Sequence, residues 1–402
     1  MKNWQQVLRR KEVLALCAMA FMADICTGII TPTFSLYAKG LGASLTLIGA
    51  LGGINGLTRI FSAVPVGLLS DSRGRKTVLS AGTLLFTLSS FLYTVAPNPY
   101  FLFPIRALAS VAGIATFFIG LAHLGDIVAE GERGLAIGLY TTCMGLGHTI
   151  GSFIGGWVAE TYGGYRTSYQ IAALCALVAF IIVRLGLAGE SPKQGTASSR
   201  PDVSLLARLK LMVQEPNLLA ASLANLSRSA VFAAIMSFFP LYLASLSVGQ
   251  ATVGSMFAAR ALCSTSARMP TGLLTTRFSS KSIMTIALAL MVTAVVSISY
   301  TTTPILLGVL LIGEGIAFGM FFTSGQAFVA EHSASGRGTA IGVYSTAASL
   351  GATAAPFILG FIADVWGLVA VFQVTGVVVL GGIGVLGYVS LWQRRARRCL
   401  TT

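Results

Sequence analysis

A small number of ionisable residues interrupt long apolar runs in this chain. They are two acids, five arginines and one histidine: Asp24, Glu314, Arg59, Arg106, Arg228, Arg260, Arg268 and His148. An ionisable side chain at the centre of a membrane costs about 2.5–3.5 kcal/mol on insertion scales, so it usually faces a partner or a wet cavity. These positions are therefore the candidate functional residues.

The two acids are predicted to be the proton-coupling residues. A carboxylate between low-dielectric walls can bind and release a proton near neutral pH, which favours this role for Asp24 and Glu314. A histidine can change its charge near neutral pH, which makes His148 a candidate for the substrate site, with simple packing as the alternative.

The arginines offer a different chemistry. An arginine stays charged, so it cannot carry the proton, but it can tune a neighbouring acid or hold an anionic substrate group. Arg59, Arg106, Arg228 and Arg260 are predicted to bind substrate. The excess of arginines over acids argues against a purely cationic ligand. The alternative is a set of structural ion pairs, such as Asp24 with Arg59.

Two of these charges lie near mid-membrane. Asp24 follows the start of its apolar run by 24 − 13 = 11 residues, and Arg228 follows the start of its run by 228 − 217 = 11. Eleven residues rise about 16 Å in a helix, roughly half of a hydrocarbon core of about 30 Å.

The elements that must position these residues are membrane spans. A length of 402 with 55% hydrophobic and 10% charged residues and a mean hydropathy of +0.81 excludes a soluble domain. Twelve apolar runs are long enough to span, near 13–37, 44–69, 78–97, 100–123, 135–159, 166–188, 217–245, 250–276, 282–300, 303–330, 338–362 and 368–391. We therefore predict an all-α integral membrane protein with twelve transmembrane helices.

The distribution of basic residues predicts the topology. The net charge of +14 does not indicate nucleic-acid binding, because lysines and arginines concentrate on one side and only Lys39 and Arg166 fall on the other. This asymmetry predicts cytoplasmic termini. The predicted domains are 1–188, a cytoplasmic linker 189–216, and 217–402 with a short basic tail.

The two halves are related by an internal duplication. GLLSDSRGRKTVL from Gly67 matches GLLTTRFSSKSIM from Gly272 at an offset of 272 − 67 = 205. FIGGWVAETYG from Phe153 matches FILGFIADVWG from Phe357 at an offset of 357 − 153 = 204, as does the pair of segments that begin at Arg133 and Arg337. Repeated offsets of this kind predict two six-helix units of common origin.

The first of these segments carries a family resemblance. Its glycines, acid and basic pair resemble the motif between helices 2 and 3 of the major facilitator superfamily at Gly67, Asp71, Gly74, Arg75 and Lys76. The resemblance implies two pseudo-symmetric six-helix bundles. It also implies a conformational latch on the cytoplasmic side, in which Arg75 reaches an acid at the end of helix 4, with Asp126 as the candidate. The alternative is that the basic residues only enforce topology.

Helix 5 carries a second resemblance. The segment GHTIGSFIGG, residues 147–156, is similar to the motif of the drug:proton antiporter branch, except that Ser152 stands where the family has proline. Its repeat mate Pro356 keeps the proline. Independently of the family, small residues every four positions form a ridge that lets another helix approach closely. The predicted helix-packing motif comprises Gly147, Gly151, Gly155, Gly156 and Pro356, with packing alone as the alternative to a coupling role.

Together these features predict a proton-coupled secondary transporter that works by alternating access and exports a small amphipathic compound by antiport. The alternative is proton-coupled uptake of an organic anion. A phosphate-binding loop, a metal motif and a CxxC pair are absent from the sequence, so we expect neither an enzyme nor a cofactor or metal. A receptor or scaffold of the same fold stays open. The expected partners are protons, a small-molecule substrate and the lipid bilayer of a bacterial inner membrane, with no nucleic acid, and we expect a monomer.

Overall fold

The structure is a computed structural model that describes residues 10–188, 215–332 and 337–400, without the side chains of residues 332, 337–339 and 390–400. Most of the predicted linker 189–216 lies outside the described residues.

Twelve helical spans follow one another along the described parts of the chain, one for each predicted run. They are α1 (Lys11–Gly40), α2 (Leu45–Arg73), α3 (Arg75–Val95), α4 (Pro99–Ile127), α5 (Arg133–Thr161), α6 (Tyr165–Gly186), α7 (Pro216–Ser245), α8 (Gln250–Leu274), α9 (Ser280–Ile298), α10 (Pro304–His332), α11 (Arg337–Trp366) and α12 (Leu368–Leu400). The predicted all-α fold class is confirmed. The largest difference is at α12, which continues for 400 − 391 = 9 residues past its apolar run, because a helix can extend beyond the hydrocarbon core.

Two spans change helix type partway. In α4 the segment Ile114–Phe118 is a π-helix between two α-helical stretches, and in α7 the same holds for Ala234–Phe238. Insertions of this kind shift the side chains that follow them and are frequent at functional sites.

Ten of the spans are both long and apolar enough to cross a membrane in the described part of the chain. The other two, α5 and α8, have 29 and 25 residues and so are long enough. Their lower hydropathy comes from their composition, since α5 is rich in glycine and threonine and α8 carries Arg260 and Arg268.

The chain divides into two compact units. The first holds the described residues of Met1–Ala43, Thr58–Arg200 and Ser247–Leu262, and the second holds those of Ser44–Leu57, Pro201–Leu246 and Cys263–Thr402. The start of α2 therefore belongs to the second unit, and the first half of α8 belongs to the first unit.

Helix packing follows the same pattern in both units. In the first, α1 packs on α5 and α6, and α3 packs on α4 and α6. In the second, α7 packs on α11 and α12, and α9 packs on α10 and α12. The buried interior of the first unit contains Leu16, Met19, Leu124, Tyr140 and Val183, each at most 1% exposed. The repeat in the sequence thus corresponds to a repeat in the packing.

Candidate functional site

The predicted proton-coupling acid of α1 lies beside the histidine of α5. Asp24 Oδ1 and His148 Nδ1 are 3.4 Å apart, with side chains 12% and 25% exposed. The pair joins residues that are 124 positions apart in the chain. A carboxylate and an imidazole at this distance can share and exchange a proton.

Small residues bring the two helices close enough for this pair. A Cβ placed on Gly147, Gly151 or Gly155 would overlap the backbone of α1, at the carbonyls of Phe21, Ile25 and Ile29 respectively. Gly28 of α1 meets the backbone of His148 in the same way. The glycine ridge therefore lets α5 pack directly on α1. The Asp24–His148 pair lies between the first two of these contacts along both helices.

Arg59, Arg106, Arg228 and Arg268, all within spans, lie over aromatic rings. The guanidinium carbon of Arg106 is 4.0 Å from the ring centroid of Phe34, and that of Arg59 is 4.6 Å from Phe118 in the π-helical segment. The guanidinium carbon of Arg268 lies 5.0 Å from the ring centroid of Phe322. A ring face is worth about 0.5–2 kcal/mol to a cation and does not neutralise it, so the positive charge is retained within the span. The alternative hypothesis paired Asp24 with Arg59. In the structure Asp24 lies beside His148, and Arg59 lies over the ring of Phe118.

Arg228 lies among residues of three helices. Its Nε donates to Asn225 Oδ1 at 2.8 Å, and Asn225 Nδ2 donates to the backbone oxygen of Tyr344 on α11 at 3.0 Å. Its guanidinium lies 4.9 Å from the centroid of Phe318 and 6.0 Å from that of Phe321, both on α10. Three helices of the second unit thus hold one positive charge.

The remaining two predicted residues are deeply buried. Glu314 on α10 has no exposed surface, and Arg260 on α8 is 6% exposed. They belong to different units, Arg260 to the first and Glu314 to the second. A fully buried acid within a span carries a large desolvation cost, which marks Glu314 as a functional candidate.

The predicted latch residues meet around Arg75. Arg75 Nε lies 3.2 Å from Asp126 Oδ2 at the end of α4, and Nη1 lies 3.1 Å from Asp71 Oδ1 and donates to Ser70 Oγ at 3.1 Å. Gly74 alone separates α2 from α3, with φ of 86°, a conformation that L residues with a side chain rarely adopt. Lys76 Nζ donates to the backbone oxygen of Leu187, just after α6. Gly67 lies on α2 two turns before Gly74 and has open space around it.

Sequence reasoning missed several of these partners. Asn225, Phe118 and Phe318 were not predicted, because an amide or a phenylalanine in a span gives no signal of its own. Asn225 precedes Arg228 by one helical turn, and this spacing is the one feature that suggests the hydrogen bond. Among the described residues, no cluster of three or more histidines, cysteines or acids has the geometry to hold a metal ion.

Comparison with known proteins identifies the family. The family model for the Major Facilitator Superfamily matches residues 16–249 and 221–398. The chain belongs to this superfamily. It is 23% identical over 385 residues to an uncharacterized MFS-type transporter of Methanocaldococcus jannaschii, which covers 95% of this chain and 98% of the relative. The superfamily is one of membrane transporters, so the protein is a multi-pass membrane transporter and not an enzyme.

Further relatives include a quinolone resistance protein and solved transporters. The quinolone resistance protein NorA of Staphylococcus aureus is 24% identical over 188 residues, 47% of each chain. A mutant of the nucleoside transporter NupG has a TM-score of 0.79 at 16% identity over 94% of this chain and 99% of its own. An inward-facing bacterial homologue of the human lysosomal transporter Spinster has a TM-score of 0.77 at 16% identity over 94% and 96%. These structures share the fold.

Proposed function

We propose that this transporter is a proton-coupled exporter of small amphipathic compounds that works by alternating access. The observation that carries the proposal is the pair of Asp24 and His148, held within hydrogen-bonding distance where α1 and α5 pack most closely. A proton taken up at this pair changes its charge within the span. Because the cost of an ionisable group in a span depends on its charge, protonation changes the relative free energies of the transporter's states.

Glu314 provides the second acid. It is fully buried on α10 in the second unit, so each unit contributes one carboxylate within a span. The resemblance of helix 5 to the antiporter branch supports export, as does the similarity to NorA, a quinolone resistance protein. The substrate is proposed to be amphipathic because the in-span charges lie against aromatic rings, which offer an apolar face next to a polar group.

The test is proton movement in everted vesicles with an acidic interior. Adding a transported compound should release protons and dequench a pH probe. Asp24→Asn and Glu314→Gln should each lower this signal at least tenfold, and His148→Gln should lower it less, since the carboxylate remains. Glu130→Gln is the matched control, because the Glu130 side chain is 91% exposed. Its Oε1 lies 3.7 Å from Arg133 Nη1, a long ion pair. Full proton-linked flux in both acid variants would exclude this assignment.

The second candidate function is proton-coupled uptake of an organic anion. The arrangement that favours it is Arg228, oriented by Asn225 and stacked on Phe318, a positive charge with an adjoining aromatic surface. Such a site would take a carboxylate or phosphate attached to an apolar body. A parallel panel of lipophilic cations and organic anions separates the two functions. Arg228→Lys retains the charge but loses the planar fork, so it should weaken anion binding while Arg228→Ala should abolish it.

We further propose that the chain ends lie in the cytoplasm of a bacterial cell, that the Arg75 cluster closes the cytoplasmic side as a latch, and that the working unit is a monomer. The asymmetric distribution of lysine and arginine supports the orientation. Fusions of a reporter that is active only in the cytoplasm, placed after residue 402 and within the loop between Gly40 and Leu45, test it. Activity of the loop fusion in place of the terminal fusion would reverse the orientation.

A further inference from the structure

Two carboxylates cap the first turns of two helices on the membrane side opposite the chain ends. Asp364, near the end of α11, accepts the backbone N–H of Leu45 at 3.0 Å and that of Thr46 at 2.7 Å, the first residues of α2. Glu160, near the end of α5, accepts the backbone N–H of Ala251 at 2.7 Å, in the first turn of α8. A carboxylate at this position satisfies unpaired N–H groups and lies at the positive end of the helix dipole.

The two caps are copies of each other. Glu160 and Asp364 are separated by 364 − 160 = 204 positions, the offset of the internal repeat. The capped residues Thr46 and Ala251 are separated by 251 − 46 = 205, the other offset of the repeat. The duplication has therefore kept an acid at both places, as glutamate in one half and aspartate in the other.

Each cap adjoins a close contact between glycines. A Cβ on Gly156 would lie 2.7 Å from the Cα of Gly254, and a Cβ on Gly360 would lie 3.1 Å from the Cα of Gly49. These four residues follow the repeat as well, since 360 − 156 = 204 and 254 − 49 = 205. One helical turn separates each glycine contact from its cap, so the acid and the glycines hold the same two helices together.

Each contact joins a helix of one sequence half to a helix of the other. The cap of Glu160 and its glycine contact lie within the first unit, which takes in Ser247–Leu262, and those of Asp364 lie within the second, which takes in Ser44–Leu57. Both carboxylates are exposed, so water can replace them when the helices separate. A contact of this kind can form and break during a transport cycle.

We propose that Glu160 and Asp364 are paired positioning residues that hold the side opposite the chain ends closed, and that their two caps break together when that side opens. The inference rests on the alternating-access part of the proposed function. It is independent of which substrate is carried and of whether protons drive the cycle. The acids act through the helices that they cap, and no contact with substrate is required of them.

The experiment is hydrogen–deuterium exchange on the full chain in lipid nanodiscs, without substrate or a proton gradient. The readouts are the peptides that contain the amides of Leu45 and Thr46 and the amide of Ala251. Asp364→Ala should speed exchange in both peptides, and Glu160→Ala should do the same. Losing an N-cap typically changes an equilibrium roughly two- to thirtyfold, so an effect in this range is expected at the mutated cap, with a smaller effect at the other.

Matched variants separate this proposal from local helix capping. Asp364→Glu and Glu160→Asp exchange the residues that the two halves already use, so they should behave like the unaltered protein. Glu130→Gln removes an exposed carboxylate from the other membrane side and should leave both peptides unchanged. Gly254→Ala would force a side chain against the backbone of Ser152, so it should reproduce the effect of Glu160→Ala.

The decisive result is the behaviour of the distant cap. Faster exchange at both caps after either substitution supports the proposal, and faster exchange confined to the mutated cap overturns it. An alanine variant that unfolds will exchange faster throughout the chain. In that case Asp364→Asn and Glu160→Gln, which keep one acceptor oxygen, replace the alanine variants. Faster exchange at both caps again supports the proposal, and faster exchange at the mutated cap alone overturns it. The exchange measurement uses no substrate and no gradient, so its result does not depend on whether the protein is an exporter. Failure of the exporter assignment would appear only in the vesicle assay.

Discussion

The two copies of the turn that follows the second helix of each half differ in their chemistry. In the first copy, Arg75 reaches the carboxylate of Asp126 at the end of α4. In the second copy the corresponding positions, 75 + 205 = 280 and 126 + 205 = 331, hold Ser280 and Glu331. Ser280 Oγ lies 3.0 Å from Glu331 Oε1 at the end of α10. In both copies an acid at the end of the fourth helix bonds to the first residue of the third, a guanidinium in the first copy and a neutral hydroxyl in the second.

This difference distinguishes a contact that both units share from the additional charges of the proposed latch. An acid at the end of the fourth helix of each half, bonded to the start of the third, serves packing in both units. In the first copy the contact contains the cation of Arg75 and a second acid, Asp71. A bond between two charged groups is stronger than one from a neutral hydroxyl, so the Arg75–Asp126 bond is expected to be stronger than the Ser280–Glu331 bond.

The largest expected effect is on Arg75. Removing it leaves the carboxylates of Asp71 and Asp126 without their shared cation, and two partly exposed ion pairs together with the bond to Ser70 are worth about 1–2 kcal/mol. Arg75→Ala should therefore lower transport in the vesicle assay by about tenfold or more, whereas Ser280→Ala should lower it less than about twofold. Equal losses in the two variants would show that the copies contribute alike.

The next effect comes from the backbone of the turn. Gly74 has φ of 86°, whereas its repeat mate at 74 + 205 = 279 is Ser279 with φ of −59°. An alanine at a positive φ costs about 1–2 kcal/mol, so Gly74→Ala should destabilise the protein by about that amount, and Ser279→Ala should change stability by less than about 0.5 kcal/mol. Thermal unfolding in detergent measures both. A Ser279→Ala variant as unstable as Gly74→Ala would contradict the comparison.

A gain of charge in the second copy should have a moderate effect. Ser280→Arg places a cation next to Glu331 and makes the second copy resemble the first. We expect stability to rise by about 0.5–1 kcal/mol and transport to fall about two- to fivefold, because a contact that stabilises one state opposes the change to the other. The control is Ser280→Gln, which is long and polar but uncharged. Transport at the unaltered rate in the arginine variant would show that charge on this contact does not limit the cycle.

The smallest effect is expected at the lysines that both copies keep. Lys76 Nζ donates to the backbone oxygen of Leu187, while Lys281 Nζ lies 5.9 Å from the ring centroid of Phe328. Lys76→Met removes a hydrogen bond from a charged group, so it should cost about 1 kcal/mol of unfolding free energy in thermal unfolding. Unchanged stability in Lys76→Met would contradict this assignment.

Much of the candidate site could be located from the sequence, but its pairings could not. The depth of Asp24 and Arg228 follows from helical rise within an apolar run, and this arithmetic needs no tertiary information. The partners His148 and Phe318 lie on other helices and have no spacing relation to those residues. Asp126 could be named in advance because the family resemblance of the turn between helices 2 and 3 implies that Arg75 reaches an acid at the end of helix 4. Glu160 and Asp364 lay within the repeated segments, but their capping role requires knowledge of which helix starts beside them.

The sequence by itself determined the membrane class, the number of spans and the duplication, since these depend on hydropathy and on self-similarity along one chain. Tertiary structure alone decided that the acid of α1 faces a histidine of α5 and that most in-span arginines lie over rings. It also decided that the two acids near the ends of α5 and α11 cap helices from the other sequence half. The physical reason is that hydropathy and periodicity are local, whereas a pairing over 124 residues depends on how closely two helices approach, which the glycines at the contacts permit.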